Sequence, residues 1–292
     1  MIPEPAAAVV WRDLMADGFG KLRAGGFDNA AQEARWMAEQ AGGFEPAELV
    51  LALDEPANER CRTHLQQMLE RRLAGEPLQY VLGRWGFRSL DLFLDPRVLI
   101  PRPETEALAE AALAECDRLD ARLAVDLGTG SGAIALALAA ERVPLEVWAT
   151  DASADALDVA RANLAGLGRA AARIRLAEGS WFAALPDELR GRIDVVVSNP
   201  PYVRADEMDE LPDDVRGWEP ELALVSGPEG LDDIAHIVAE APGWLRRPGA
   251  LLLEIDPRQA EATKRLARGA GFGSVSVWPD LTGRDRIVQA RL

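Results

Sequence analysis

The sequence of 292 residues is poor in the side chains that build disulfides and metal sites. It contains two cysteines, Cys61 and Cys116, and two histidines, His64 and His236. Two cysteines do not form a disulfide framework. Cys61 and His64 share a helix face, but two ligands do not complete a zinc site. We therefore expect no metal ion and a reducing, cytoplasmic compartment.

Long apolar runs and positive charge are also scarce. No run approaches the roughly 20 apolar residues that cross a bilayer, and the N-terminal stretch MIPEPAAAVVWRDL has no basic leader. We therefore expect neither a membrane span nor a signal peptide. With 32 Lys and Arg against 48 Asp and Glu, the formal net charge is −16. Because nucleic-acid binding requires the neutralisation of phosphate, this charge disfavours DNA or RNA and suits a basic protein partner.

The spacing of apolar residues divides the chain into three parts. Residues 1–75 have helical spacing, including a helix that begins at Asp28 or Asn29 and ends at Gly42-Gly43. Residues 76–100 have the alternating apolar positions of a β-hairpin linker. Strands and helices alternate over residues 101–292, and this predicts an α/β fold with a mostly parallel sheet covered on both faces.

The third part contains seven strand candidates. Because only a short turn containing GRDR separates the last two, we predict that the final strand is antiparallel. The predicted strands are 123–127, 145–150, 173–177, 193–198, 250–255, 274–278 and 287–290, and the predicted helices include 104–116, 133–141, 154–167 and 231–245.

A glycine-rich turn, VDLGTGSGA, connects the first of these strands with a helix. Gly128, Gly130 and Gly132 remove side chains where a ligand must approach the backbone, and the pattern fits G-x-G-x-x-[G/A]. The next strand is followed by Asp151, whose carboxylate can accept hydrogen bonds from both ribose hydroxyls of an adenosine or can cap a helix. These features predict an adenosine-containing ligand and leave both NAD and S-adenosylmethionine open.

The stretch SNPPY follows the valine-rich strand that is predicted beside the glycine turn. The side-chain oxygen of Asn199 and the carbonyl of Pro200 can accept hydrogen bonds from a planar nitrogen whose lone pair is delocalised into a carbonyl or a ring. Pro201 fixes the backbone, and Tyr202 can press its ring against a flat substrate group. This clamp would orient the nitrogen towards a methyl donor and stabilise its developing positive charge. The structural alternative is a Pro-Pro turn that only ends the strand.

The motifs resemble those of class I S-adenosylmethionine-dependent methyltransferases. They are most similar to the PrmC/HemK family, the glutamine-N5 methyltransferases of peptide chain release factors. The resemblance covers almost the whole chain, and PRPETE and GEPLQY are more specific than the glycine turn. Its stretches are GEPLQYVLG (75–83), LIPRPETE (99–106), VDLGTGSGAIALALA (125–139), DASADAL (151–157), VVVSNPPYV (195–203), EPELALVSGPEGLD (219–232) and DLTGRDRIV (280–288).

The resemblance implies a Rossmann-like, seven-stranded methyltransferase domain and roles for individual residues. Asp151 would bind the ribose, Trp181 would lie against the adenine, and residues 102–105 would form a roof over the site. The methionine end of S-adenosylmethionine would be held by Gly128, Thr129, Gly130, Ser131 and Gly132. The catalytic pocket would be formed by Asn199, which also touches the cofactor, and by Pro200, Pro201 and Tyr202.

The resemblance also implies the acceptor, which is the glutamine of the Gly-Gly-Gln motif in class 1 release factors. The helical domain of residues 1–75 would recognise the factor, and we expect a monomer. One departure is Asp256-Pro257 after Glu254-Ile255, where the family usually has glycine. Three alternatives remain: an adenine N6 methyltransferase acting on RNA or DNA, a nicotinamide-dependent oxidoreductase, and a catalytically silent adaptor.

Overall fold

The computed structural model describes residues 9–280 and 282–292. The predicted absence of a leader concerns a stretch whose first eight residues lie outside the described part. The chain divides into two compact units, the first ending at Gly83 and the second beginning at Arg84. Within the described ranges, no helix has both the length and the apolar character needed to cross a membrane.

The first unit is helical, as the spacing of its apolar residues predicts. Its helices are α1 (Trp11–Ala24), α2 (Ala30–Gly42), α3 (Pro46–Ala52), α4 (Glu59–Leu73) and α5 (Leu78–Leu82). Helix α2 ends at the left-handed Gly43, which has a φ of 67°. Asn29 precedes α2, but its side chain makes no capping bond because its backbone (φ −97°, ψ 26°) is not extended.

Residues 76–100 differ from the predicted hairpin linker. Helix α5 comes first, and the hairpin is confined to strands β1 (Arg84–Phe87) and β2 (Leu90–Phe93). Three consecutive residues at the end of α5, Tyr80–Leu82, are buried, which an alternating strand with one solvent-exposed face does not allow. Gly83 then ends the helix in the left-handed conformation, with a φ of 69°.

The second unit contains a seven-stranded sheet in the order β5-β4-β3-β6-β7-β9-β8. Strand β9 is antiparallel to both of its neighbours, as predicted for the final strand, and the other strands run parallel. The elements are α6 (Pro103–Leu119), β3 (Leu123–Leu127), α7 (Ala133–Glu141), β4 (Glu146–Asp151), α8 (Ala154–Ala165), β5 (Ile174–Glu178), β6 (Ile193–Ser198), α9 (Asp213–Arg216), α10 (Asp232–Trp244), β7 (Leu245–Glu254), α11 (Ala260–Gly269), β8 (Ser274–Pro279) and β9 (Asp285–Arg291).

Strand register brings four strand ends to one edge of the sheet. Leu127 at the end of β3 lies opposite Thr150 of β4 on one side and Ser198 of β6 on the other. Ser198 in turn lies opposite Leu253 of β7. The strand order reverses between β3 and β6, and ligands of open α/β sheets bind at such a point outside the carboxyl ends. The glycine turn and SNPPY therefore share this edge.

The hairpin β1–β2 is bound to α8. The backbone N–H of Phe93 donates to Oδ1 of Asn163 at 2.7 Å, and Nδ2 of Asn163 donates to the Phe93 carbonyl at 3.1 Å. Leu92 and Leu94 on either side of Phe93 are buried. The hairpin is thus part of the second unit rather than a free connection.

Candidate active site

The three glycines of the turn have different surroundings. Gly130 has a φ of 55°, and a Cβ built on it would meet no heavy atom within 4 Å. A Cβ on Gly128 would lie 3.1 Å from Cζ3 of Trp181, and one on Gly132 would lie 2.9 Å from Cδ1 of Leu136. Gly132 therefore permits packing of α7 and Gly128 permits packing of Trp181, whereas Gly130 leaves the backbone open to a ligand.

Thr129 and Ser131 shape the turn from inside the protein. The Thr129 N–H donates to the Thr150 carbonyl at 2.9 Å, and its hydroxyl donates to Oδ2 of Asp126 at 2.6 Å. The Ser131 carbonyl accepts from Nδ2 of Asn163 at 2.9 Å. Both side chains are buried, so these residues hold the path of the backbone between the glycines.

Asp151 at the end of β4 is held by two backbone N–H groups. Its Oδ2 accepts from Gly130 at 2.8 Å, and its Oδ1 accepts from Ser153 at 2.9 Å. Burial raises the pKa of Asp151, and these hydrogen bonds oppose the effect. The residue that caps α8 is Ser153 and not Asp151, and the Ser153 hydroxyl accepts from the N–H of Ala156. Because each carboxylate oxygen has two lone pairs, Asp151 retains acceptor capacity for a ligand.

Trp181 is fixed beside the glycine turn. It has a left-handed φ of 48°, which is uncommon for a residue other than glycine. Its indole Nε1 donates to Oδ1 of Asp233 at 3.2 Å, and the backbone N–H of Asp233 donates to the Ser226 hydroxyl at 2.9 Å. These contacts place the indole against Gly128.

Asn199 lies at the end of a chain of two hydrogen bonds, and the inner one is buried. Its Nδ2 donates to Oγ1 of Thr105 at 3.3 Å, and the Thr105 hydroxyl donates to Oε2 of Glu254 at 2.8 Å. The exposed fractions of Thr105 and Glu254 are 4% and 1%. These hydrogen bonds join the ends of β6 and β7 to the first turn of α6. The three residues come from stretches that are distant in the sequence.

Glu254 is the acid in this chain of hydrogen bonds. Burial raises its pKa to about 7, while the hydrogen bond from Thr105 and the charges of Arg286 and Arg102 oppose the shift. Glu104 adds a smaller effect in the raising direction. A carboxyl with this pKa changes its charge within the neutral range.

Replacement of this carboxyl is expected to change how stability depends on pH. The folded-state pKa of about 7 lies above the ordinary 4.5, so the contribution of Glu254 to stability is fully present below about pH 4.5 and is lost as pH rises to about 7. Glu254→Gln removes this loss, which is about 3 kcal/mol for a shift of that size. Urea unfolding at pH 5 and pH 8 should show the variant gaining on the wild type at the higher pH. An equal difference at both pH values would contradict the assignment.

The backbone after SNPPY is held by contacts from two later segments. The Tyr202 N–H donates to the Leu224 carbonyl at 3.2 Å, and the Tyr202 carbonyl accepts from Nε2 of Gln259 at 3.0 Å. Gly230 comes so close that a Cβ there would clash with this carbonyl oxygen. The Tyr202 ring packs against the hydrophobic core, and burial raises the pKa of its phenol.

The Asp256-Pro257 departure is accommodated without strain. Asp256 is extended (φ −68°, ψ 138°) and caps the 3₁₀ turn Pro257–Gln259, where its carboxylate accepts from the N–H of Arg258 at 2.8 Å. Oε1 of Gln259 accepts from the N–H of Asp256 at 3.2 Å. No left-handed residue is required, so glycine is not needed, and Gln259 keeps its hold on Tyr202.

A cavity of about 220 Å³ opens at this edge of the sheet. Six of the predicted site residues line it, and the other five, Thr129, Ser131, Gly132, Pro200 and Tyr202, do not. The six are Gly128, Gly130, Asp151, Trp181, Asn199 and Pro201. Several other lining residues were not among the predicted site residues, and these are Arg97, Val98, Leu99, Pro220, Leu222, Ala223, Val225 and Asp233.

Comparison with known proteins identifies the family. The PrmC N-terminal domain family matches residues 13–83, and the methyltransferase small domain family matches residues 105–211. The release factor glutamine methyltransferase of Cereibacter sphaeroides is 44% identical over 280 residues, which cover 96% of this chain and 98% of that protein. The chain belongs to the release factor glutamine methyltransferase family. The Moorella thermoacetica enzyme of the same name is 41% identical and covers 96% of this chain and 97% of its own.

Solved structures show the same fold at low identity. A methyltransferase from Pyrococcus furiosus has a TM-score of 0.50 at 18% identity and covers 77% of this chain and 98% of its own. The hMettl16 catalytic domain in complex with MAT2A 3'UTR hairpin 6 has a TM-score of 0.54 at 18% identity, with coverage of 75% and 80%. Together with the family, they confirm the predicted class I methyltransferase fold and the predicted enzyme class.

The contacts of residues 102–105, the predicted roof, connect this segment with two buried acids. Arg102 precedes α6 and its guanidinium donates to Oε1 of the buried Glu219 at 2.5 Å. Thr105 lies beneath Asn199, as described above. Neither residue lines the cavity, whereas the segment Arg97–Leu99 does. The ion pair joins the residue before α6 to the segment that precedes the lining residue Pro220.

Proposed function

We propose that this protein transfers a methyl group from S-adenosylmethionine to the side-chain amide nitrogen, N5, of the glutamine in the Gly-Gly-Gln motif of class 1 release factors. The observation that carries the proposal is the position of Asn199. It lines one cavity together with Gly128, Gly130 and Asp151. Membership of the release factor glutamine methyltransferase family supports a glutamine as the acceptor and does not favour adenine.

The residues of the cavity fit the cofactor. Gly130 leaves open space where a side chain would stand, and Asp151 keeps lone pairs for ribose hydroxyls. The flat indole of Trp181 is suited to lie against the adenine. When bound, S-adenosylmethionine supplies an electrophilic methyl group on a sulfonium sulfur. Nicotinamide chemistry, the oxidoreductase alternative, has no support from the family.

The chain supplies orientation to the acceptor. Oδ1 of Asn199, which lines the cavity, would accept from one N–H group of the glutamine amide. The carbonyl of Pro200, which stands between the lining residues Asn199 and Pro201, would accept from the other, so that the amide nitrogen faces the methyl donor. Pro201 limits movement of this backbone, and Gln259 holds the Tyr202 carbonyl. No strong general base is required, because a methylated, positively charged amide nitrogen loses its proton readily.

The release factor is proposed to be recognised by the first unit. The match of residues 13–83 to the PrmC N-terminal domain supports this assignment. The net charge of the whole chain, −16, suits a basic partner surface. Direct nucleic-acid binding is disfavoured by the same charge. We further propose that the protein is a monomer and that it acts in the cytoplasm, where release factors act on the ribosome.

Two alternatives are weaker. The hMettl16 structure contains an RNA hairpin, but 18% identity shows a common fold and not a common substrate. A silent adaptor would not need an intact SNPPY whose asparagine lines the cavity beside the glycine turn.

Mass spectrometry of a release factor incubated with enzyme and S-adenosylmethionine tests the proposal. We expect one added methyl group on the glutamine of Gly-Gly-Gln. A factor with that glutamine replaced by alanine serves as the control and should stay unmodified. Transfer of labelled methyl groups to RNA or DNA, with none to the factor, would end the proposal.

A further inference from the structure

Asn199 must present a particular one of its two amide atoms to the acceptor. An oxygen in the cavity accepts from the glutamine N–H groups, whereas an NH₂ group there would repel them. The two orientations differ by a rotation of the side-chain amide, and hydrogen-bond partners decide between them. The structure contains such partners on the side of Asn199 that faces the protein.

When Glu254 is ionised, only one assignment of donors and acceptors satisfies both hydrogen bonds between Asn199, Thr105 and Glu254. An ionised carboxylate only accepts, so Glu254 requires the Thr105 hydroxyl to donate its single proton. The hydroxyl oxygen is then left as an acceptor towards Asn199, 3.3 Å away. The group that fits this acceptor is the NH₂ of Asn199, and Oδ1 is left for the cavity.

We propose that Thr105 and Glu254 are positioning residues that fix the amide orientation of Asn199 for the transfer. This inference rests on the proposed function and names two residues that do not line the cavity. Both are buried, and a buried hydrogen-bonded pair holds one geometry better than a solvated pair does.

Protonation of Glu254 would leave the direction of these two hydrogen bonds undetermined. A neutral carboxyl can donate, the Thr105 hydroxyl can then turn its proton to Asn199, and both amide orientations become possible. The charged groups that act on Glu254 are Arg286 from β9 and, at the start of α6, Arg102 and Glu104. The charge of Glu254 in turn raises the pKa of Tyr202. The raised pKa of Glu254, about 7, places the change within the range of ordinary assays.

Variants at Thr105 separate positioning from packing. Thr105→Val keeps the shape but removes the hydroxyl, and we expect kcat for the release factor to fall about 10- to 100-fold. KM and the affinity for S-adenosylhomocysteine should stay within about twofold. Thr105→Ser restores the hydroxyl and should recover kcat to within about threefold.

A matched control lies in α11. Thr263 is fully buried, and its hydroxyl has no hydrogen-bond partner among the described residues. Thr263→Val should therefore leave kcat unchanged. Equal losses in Thr263→Val and Thr105→Val would show a packing effect and would overturn the inference.

The side-chain amide NMR signal of Asn199 provides a readout that needs no acceptor. It is identified by its disappearance in Asn199→Ala. In the wild type it should shift with pH as Glu254 titrates, and the shift should be lost in Glu254→Gln and in Thr105→Val. A signal that is the same in wild type and Thr105→Val refutes the positioning role, whatever the activity. Failure of the wild type to methylate a release factor, with the pH response present, refutes only the proposed function.

Discussion

Replacement of Asn199 by alanine is expected to lower kcat for the release factor by at least about 100-fold. The change removes the acceptor oxygen that lines the cavity beside the glycine turn. Cofactor affinity should change by less than tenfold, about 1.4 kcal/mol, because Asp151, Trp181 and the glycines remain. Steady-state kinetics and calorimetric titration with S-adenosylhomocysteine measure the two effects separately.

The informative control for this prediction is Asn199→Asp. The aspartate keeps an acceptor oxygen in the cavity but cannot donate to Thr105. We expect it to retain more activity than the alanine variant and less than the wild type. Turnover near the wild-type rate in Asn199→Ala would refute the clamp.

Replacement of Gly130 by leucine is expected to weaken S-adenosylhomocysteine binding by about 100-fold, which corresponds to about 2.8 kcal/mol. Gly130 lines the cavity and has open space where its side chain would stand. A leucine there would occupy the volume that the ligand needs. Calorimetric titration measures the loss, and thermal unfolding measures the cost of the side chain to the fold.

Gly168 offers a matched control for the backbone cost. It has a φ of 62° against 55° for Gly130, and a Cβ on it also meets nothing within 4 Å. It does not line the cavity. Gly168→Leu should therefore lower stability to a similar degree while cofactor affinity stays at the wild-type value. Similar losses of affinity in both variants would mean that strain, and not occupation of the cavity, explains the effect.

The fold was predictable where sharp local signals mark the ends of elements. The predicted bounds of β3, β6 and α7 agree with the structure, because the glycine turn and SNPPY stand directly at their ends. Strand β7 begins at Leu245, five residues before the predicted start. Its first residues, RRPG, have turn character, and only the pairing of Leu245 with Ile193 of β6 makes them part of the strand.

The candidate site was predictable only where chemistry is concentrated in a motif. Asn199 and Asp151 follow strands directly, so their place at the sheet edge follows from the parallel topology. Val225 lines the cavity because its segment pairs with Val203 after SNPPY, and the stretch 219–232 resembles the family without showing this pairing. The partnership of Thr105 with Glu254 spans 149 residues and requires the folded structure.

The hydrogen bonds of Asn163 to both Phe93 and Ser131 determine where the chain can be cut to give a stable methyltransferase fragment. A catalytic fragment cut at Pro101 would lose the hairpin, leave this amide without its partner at Phe93, and loosen the support of the glycine turn. A fragment that starts at Arg84 keeps Phe93, Ser131 and Asn163. The bond between Gly83 and Arg84 is therefore the place to cut when the second unit is expressed alone.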